Sequence, residues 1–327
     1  MAARDSVRAR EAAPVDTAVR DASPVRGSIP HGEPLAAADH RERQHTSSLR
    51  RFVTGSPLGT VSALFLLFAI VVAFLGPYLG TGDPEAIHPT ASFAGPTGEY
   101  PMGGDYLGRS VLARLVSGLR ISLALSASSA LLAAALGTTL GLIAGYFGGV
   151  LDELVMRFTD VLFAFPVILL GLLATMVLQP GIPGVVVTIV IATIPIFCRV
   201  ARGPTLSVRA TEYTVSARVI GASPARILFR YILPNVSTPL LVQLAFTLSG
   251  ALIAEGALSF LGLGVQPPDA SWGQMINAGR QFIFNAPWLT IIPGLVVIIA
   301  VFAINLTGDG LRDVLDPRSS QRVRERA

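Results

Sequence analysis

Five stretches of this chain contain no charged residue: 52–82, 121–151, 161–198, 231–254 and 281–308. An α-helix rises about 1.5 Å per residue, so about 20 apolar residues cross a bilayer core of about 30 Å. Each stretch is long enough to cross once, and 161–198 is long enough to cross twice. That stretch is split by Gln179-Pro180-Gly181-Ile182-Pro183-Gly184, a dense turn signal. The pattern predicts an all-α membrane protein with six transmembrane helices. Composition agrees. Charged residues make up 14 % of the chain, against about 25 % in an ordinary soluble domain, too few to cover a water-exposed surface.

The charges that remain carry topology. All 25 basic residues are arginine. Without lysine there is no ordinary phosphate-binding loop and no Schiff-base chemistry. The single cysteine, Cys198, lies in an apolar stretch and reads as a small buried hydrophobe. His31, His40, His45 and His88 lie in polar segments without ligand spacing. No metal and no cofactor is expected. Residues 1–50 are polar and without apolar period, which reads as a disordered tail. The stretch is too long for the n-region of a secretory signal. Nine arginines precede the first apolar run. With six crossings both termini share a side. The N-terminal tail, Arg157, the 199–230 loop and the C-terminal tail together hold 21 arginines, against 4 in the 79–120 and 258–287 loops. Positive charge stays inside, so the termini and the 199–230 loop should face the cytoplasm. Arg109, Arg114 and Arg120 sit on the outer side against this bias and need another cause.

The spans are rich in Gly, Ala and Ser, as in 123–130. Small residues permit close helix approach where lipid gives no hydrophobic drive for association, which favours a multi-helix bundle. Trp272 and Trp288 near outer span ends suit interfacial aromatics.

The most informative segment is the cytoplasmic loop 211–235, TEYTVSARVIGASPARILFRYILPN. It reads as a compact helix–turn–helix. Tyr213, Ala217 and Ile220 share a helical face. Gly221 is placed to end that helix in a left-handed conformation. Ser223 can cap the next helix, with Pro224 at its first position. Ile227, Leu228 and Tyr231 form a second apolar stripe beside Arg226 and Arg230. Pro234 closes the element just before the next span. An amphipathic elbow held between two spans is a mechanical lever. A DNA-reading role for such a helix–turn–helix does not fit its tethering at both ends to membrane spans, and no nucleic-acid partner is expected.

This loop resembles the coupling-loop signature of ABC importer permeases, commonly written EAA, three residues, Gly, nine residues, I-x-L-P. Ala217, Gly221, Leu233 and Pro234 match in register. Val215 stands where the family often has Glu, Ser216 where it has Ala and Tyr231 where it has Ile. Residues 104–109 (GDYLGR) with 111–114 and 118–123, then 255–264 (EGALSFLGLG) and 305–318 (NLTGDGLRDVLDPR), are similar to outer-loop and C-terminal signatures of the oligopeptide/dipeptide permeases, in their second, C-type subunit. Nickel and glutathione importers share the pattern. The likeness covers roughly residues 50–318.

The resemblance implies a type I importer permease fold with a cytoplasmic coupling helix. It implies a second, similar permease, two cytoplasmic ABC ATPases docked on the coupling helices, an extracytoplasmic solute-binding protein, and surrounding membrane lipid. ATP hydrolysis would reside on the partner subunits, so the chain itself is not an enzyme. The expected organisation is a tail (1–50), a first helix with an outer loop (51–120), a permease core (121–310) containing the coupling loop 205–234, and a C-terminal tail (311–327). Within the coupling loop the candidate residues are Glu212, Ala217, Gly221, Ala222, Ser223, Arg226, Leu233 and Pro234. Asp105, Gly108 and Arg109 would either brace the outer loop or receive the binding protein. Glu255 interrupts an apolar run and would either touch the pore or gate, or serve as a hydrogen-bonded structural carboxylate. Glu153, Arg157 and Asp160 can meet on one helix face at the inner end of the third span, as a structural ion cluster or a proton relay. A self-sufficient secondary transporter, the competing class, would show mid-span charges and inverted repeats.

Overall fold

The computed structural model describes residues 52–53, 56–78 and 82–315; the N-terminal tail of the sequence reading lies outside them. Among the described residues regular structure is helical, apart from one isolated bridge between Gly104 and Ser110. We number the helices α1 (Pro57–Leu75), α2 (Val111–Phe147), α3 (Gly149–Phe163), α4 (Val167–Leu178), α5 (Ile182–Arg209), α6 (Glu212–Val219), α7 (Pro224–Phe260), α8 (Trp272–Gly279) and α9 (Trp288–Leu315). Five of these, α1, α2, α5, α7 and α9, are long and apolar enough to cross a membrane. The pair α3 and α4 supplies a sixth crossing when taken together.

Three boundaries differ from the sequence reading. The division at residue 120 falls inside α2, which runs unbroken for 37 residues, about 55 Å. Arg114 and Arg120 end the uncharged run but not the helix, because α2 is longer than the bilayer is thick. At the other end α9 continues to Leu315, past the proposed start of the C-terminal tail. The coupling loop loses its first residues to α5, which extends to Arg209.

The third crossing also departs from a straight span. α3 and α4 meet at 91° across Ala164-Phe165-Pro166. Proline lacks the donor that would continue α3 and pushes the residue before it out of the helical region. The turn between α4 and α5 falls where the sequence places it, with Gln179 at φ 62 and Gly181 at φ 154.

Small residues set the packing. α2 and α5 cross at Gly137, Gly141 and Gly145. A Cβ on Gly141 would stand 2.3 Å from the Cys198 carbonyl oxygen, so only glycine allows the two backbones this distance. Cys198 is buried in that contact, as the sequence suggests. Val111, Leu115, Leu252, Trp272 and Leu289 form an outer core; Leu142, Ala217, Ile227, Ile232 and Val236 form an inner one. Trp272 belongs to the outer core rather than to an interfacial belt. It is buried and its Nε1 donates to the Leu115 carbonyl at 3.1 Å. Trp288, only partly buried, donates to the Gly104 carbonyl at 3.5 Å. In the middle of the bundle the Ser249 hydroxyl donates to Asn305 Oδ1 at 2.7 Å and joins α7 to α9. Leu64, Leu67, Phe68 and Phe74 of α1 remain exposed, as does Phe302 of α9, which suits helices that face lipid.

Candidate coupling elbow and outer brace

The elbow forms as its residues dictate. α6 ends at Gly221, whose φ of +83 is the left-handed value that glycine takes without a Cβ penalty. Nothing lies within 4 Å of a Cβ built there, so backbone conformation alone requires the glycine. Ser223 Oγ accepts from the Arg226 amide at 3.4 Å and Pro224 opens the next helix. Leu228–Ile232 then form a π-turn before the straight part of α7. Such wide turns inside helices frequently lie at functional sites.

Burial corrects the proposed apolar face of α6. Thr214 and Ala217 face inward, while Tyr213 and Ile220 are exposed. The elbow is held from above by Ala217, Ile227 and Ile232, which pack on Leu142 of α2 and Val236 of α7. Arg209 secures the same junction. Its Nη1 donates to the carbonyls of Gly145 at 2.9 Å and Tyr146 at 3.1 Å, satisfying the end of α2. The underside is left as an exposed surface of Glu212, Val215, Val219, Ile220, Ser223 and Arg226. Val219 and Ile220 are each 81 % exposed. Of the remaining candidates Ala222 and Leu233 are half-buried and Pro234 is exposed at the start of the span.

At the opposite end of the bundle the outer segment is braced by buried charge. Asp105 Oδ1 accepts from the amides of Leu107 and Arg109, both at 2.9 Å, and Oδ2 accepts from Arg109 Nε at 2.7 Å. Arg114 Nε lies 3.8 Å from the same carboxylate. Its Nη2 donates to Gln274 Oε1 at 3.2 Å, and its Nη1 to the carbonyls of Pro84 and Pro268. All three charged residues are buried. Gly108 is buried against the His88 carbonyl, with φ +79. Asp105, Gly108 and Arg109 are thus held in one buried network within this segment. The same network gives Arg109 and Arg114 a structural partner within the chain; Arg120 is exposed on α2.

Glu255 is fully buried near the outer end of α7. Oε1 accepts from the Ser259 hydroxyl at 2.8 Å, the hydroxyls of Ser271 and Ser122 face the carboxyl, and Oε2 makes no closer bond. Ser122 also accepts from the Trp272 amide at 3.2 Å. Glu255 thus sits among hydroxyls of α2, α7 and the α8 region. Sequence reading did not find these serines, because hydroxyls are common in close-packed membrane helices.

The inner ion cluster is also redistributed. Glu153 and Arg157 meet at 3.6 Å on the exposed side of α3. Asp160 pairs instead with Arg199 of α5 at 2.6 Å, and Asp152 with Arg202 through a bidentate contact. The pairings across 39 and 50 residues need the α3–α5 packing to be seen.

An all-helical bundle of up to six crossings, with a short helical elbow between its α5 and α7 spans, fits a multi-pass membrane permease of the ABC importer class. Residues 137–321 match the family model described as "Binding-protein-dependent transport system inner membrane component", and the chain belongs to that family. It is 42 % identical over 270 residues to the glutathione transport system permease protein GsiD of Pectobacterium atrosepticum, covering 82 % of this chain and 89 % of that one. It is 38 % identical to the dipeptide transport system permease protein DppC of Haemophilus influenzae, over 80 % of this chain and 90 % of that one. Among solved structures, an inward-facing MetNI methionine ABC transporter aligns with a TM-score of 0.52 at 18 % identity, over 62 % of this chain and 96 % of the other, a likeness of fold.

Proposed function

We propose that this chain is one of two permease subunits of an ABC importer that carries di- or oligopeptides across the cytoplasmic membrane. The second subunit is a similar permease, and an extracytoplasmic solute-binding protein delivers the substrate. Two cytoplasmic ABC ATPases hydrolyse ATP and dock on the elbow, and both termini lie on that side. The observation that carries the reading is the elbow itself. Its upper face is locked to α2 and α7, while its lower face leaves Val219 and Ile220 uncovered beside Arg218 and Arg226. A partner that moves this surface moves α5 and α7 with it. The peptide class is supported by relatives that are named for dipeptide and glutathione transport, since glutathione is itself a small peptide.

The test is uptake of labelled di- to pentapeptides and of glutathione by cells with and without the gene, at matched expression of its neighbours. Loss of ATP-dependent peptide uptake is expected. Uptake that persists when the ATPase subunits are inactivated would point to a secondary transporter. Loss confined to nickel would keep the architecture and change the substrate.

A further inference from the structure

The buried charges of the outer segment do not balance. Asp105, Arg109 and Arg114 are 6 %, 5 % and 3 % exposed, so two buried guanidiniums share one carboxylate. That carboxylate is already engaged. Its Oδ1 accepts from two amides, and its Oδ2 lies 2.7 Å from Arg109 Nε and 3.8 Å from Arg114 Nε. The second distance is beyond a hydrogen bond. The Nη donors of Arg114 go to neutral oxygens, those of Pro84, Pro268 and Gln274. The Nη donors of Arg109 have no hydrogen-bond acceptor among the described residues. Its guanidinium carbon stands 5.4 Å from the centre of the Tyr106 ring. Asp83, Glu85, Glu99 and Asp269, the other acidic residues of the outer connections, are exposed. Glu255 is turned to its serine hydroxyls. Among the described residues none of these five pairs with Arg109 or Arg114. A buried charge without a counter-charge is strongly unfavourable.

A cavity of about 20 Å³ lies against these groups. Its polar lining is Asp105, Tyr106, Arg109 and Arg114, and its apolar lining includes Met275 of α8 and Leu289 of α9. Room for a water molecule begins at about 10–15 Å³, so the space takes one occupant of about that size. A carboxylate or phosphate group of a solute is too large. The first turns of α2 and α9 reach the cavity through Val111 and Leu289, and a helix start carries positive partial charge. Gly279 brings the end of the eight-residue α8 there as well, which offsets one of the two starts. The formal charge around the cavity remains positive.

We infer that this cavity is a binding site for a single monatomic anion of the halide class, chloride above all, held between the Arg109 and Arg114 guanidiniums. The ion supplies the negative charge that Asp105 alone does not. A water molecule would satisfy donors there but would leave the extra positive charge in place. Because the lining comes from the segment before α2 and from α8 and α9, the bound ion ties these three together. The site depends neither on which solute is carried nor on the side from which ATP acts.

The test measures thermal unfolding of the detergent-purified, assembled importer in sodium chloride, sodium bromide and sodium gluconate at matched ionic strength. Gluconate is too large for the cavity. Chloride and bromide should raise the melting temperature by several degrees over gluconate, and the rise should follow concentration as it does for a bound ligand. Arg109→Gln leaves one guanidinium against one carboxylate and should remove the halide-dependent rise. Asp105→Asn adds one positive charge and should tighten halide binding several-fold, whatever it does to the melting temperature in gluconate. These opposite signs separate a site from a general salt effect. Equal melting temperatures in the three salts would overturn the proposal, as would a halide rise that both substitutions leave unchanged. A second reading needs no variant. In crystals of the wild-type complex grown in bromide, anomalous scattering should place a peak between the two guanidiniums. A peak without halide-dependent stabilisation would make the ion adventitious, and the lack of a peak would assign the cavity to water; either result overturns the proposal.

Discussion

At the residue scale, two positions concentrate what the chain needs to work. Gly221 is left-handed for backbone reasons alone, with open space around it. Gly221→Ala should therefore cost only about 1 kcal/mol of local strain and leave uptake measurable. Gly221→Asp adds a charge at the centre of the exposed underside and should abolish uptake while membrane insertion stays normal. Wild-type uptake by correctly inserted Gly221→Asp would remove the elbow from the coupling path. Asp105 is the other position. It is the sole carboxylate within ion-pair distance of the buried Arg109 and Arg114 among the described residues. Breaking a buried pair strands the remaining charge at about 3–5 kcal/mol. Asp105→Asn keeps the shape and two amide contacts but not the charge. It should lower thermal stability of the detergent-purified complex by several degrees, and it should raise proteolysis within 83–110. An unshifted melting curve would mean the outer arginines are neutralised elsewhere.

At the scale of elements, the α2–α5 crossing is the tightest constraint. A Cβ at Gly141 meets both the Cys198 carbonyl and Ala201 Cβ within 3 Å. Gly141→Val should separate the helices and reduce the yield of folded complex sharply. Gly294→Ala, at a position open in α9, should be neutral or slightly stabilising, because alanine favours a helix by about 1 kcal/mol. Size-exclusion profiles of the two variants distinguish these outcomes. The sequence disclosed most of the spans, because an uncharged run of bilayer length has few other destinations. It disclosed the elbow as well, since Gly221, Ser223 and Pro224 encode their turn and cap locally. The bend at Pro166 was missed because hydropathy continues through it, and hydropathy does not distinguish a straight span from a broken one. The pairings of Asp152 with Arg202 and Asp160 with Arg199 were hidden for a different reason. Local spacing offered Asp160 a nearer partner in Arg157, and only tertiary packing gives α5 the advantage. Periodicity put Tyr213 and Ile220 on one helical face with Ala217, but of the three only Ala217 is buried. The helix they sit on is only eight residues long, and its inner contact is filled by Thr214 and Ala217.

At the scale of the whole molecule, the two ends of the bundle are built differently. The outer end is closed by buried charge and hydroxyl networks that join α2, α7 and α8. The other end carries the elbow, packed on α2 and α7 above and uncovered below, with the π-turn at Leu228–Ile232 inside α7. Motion introduced at the elbow meets a stiff outer end, so the spans between should tilt about it. That arrangement requires the elbow and the braced segment to lie on opposite sides of the membrane, which thiol labelling in intact cells can test. Cys198 is fully buried, so it should stay silent to a membrane-impermeant reagent, and single cysteines can be read against the native chain. Phe284 is 97 % exposed in the outer connection between α8 and α9; Phe284→Cys should react in intact cells. Ile220→Cys, on the underside of the elbow, should react only after permeabilisation. A cysteine at Leu315, at the end of α9, should behave the same way. Reaction of Ile220→Cys from outside would invert the topology, and with it the side from which ATP could drive transport. Reaction of Phe284→Cys alone, with protection at 220 until the membrane is opened, places the lever where cytoplasmic ATPases can reach it and leaves the braced end to face the incoming solute.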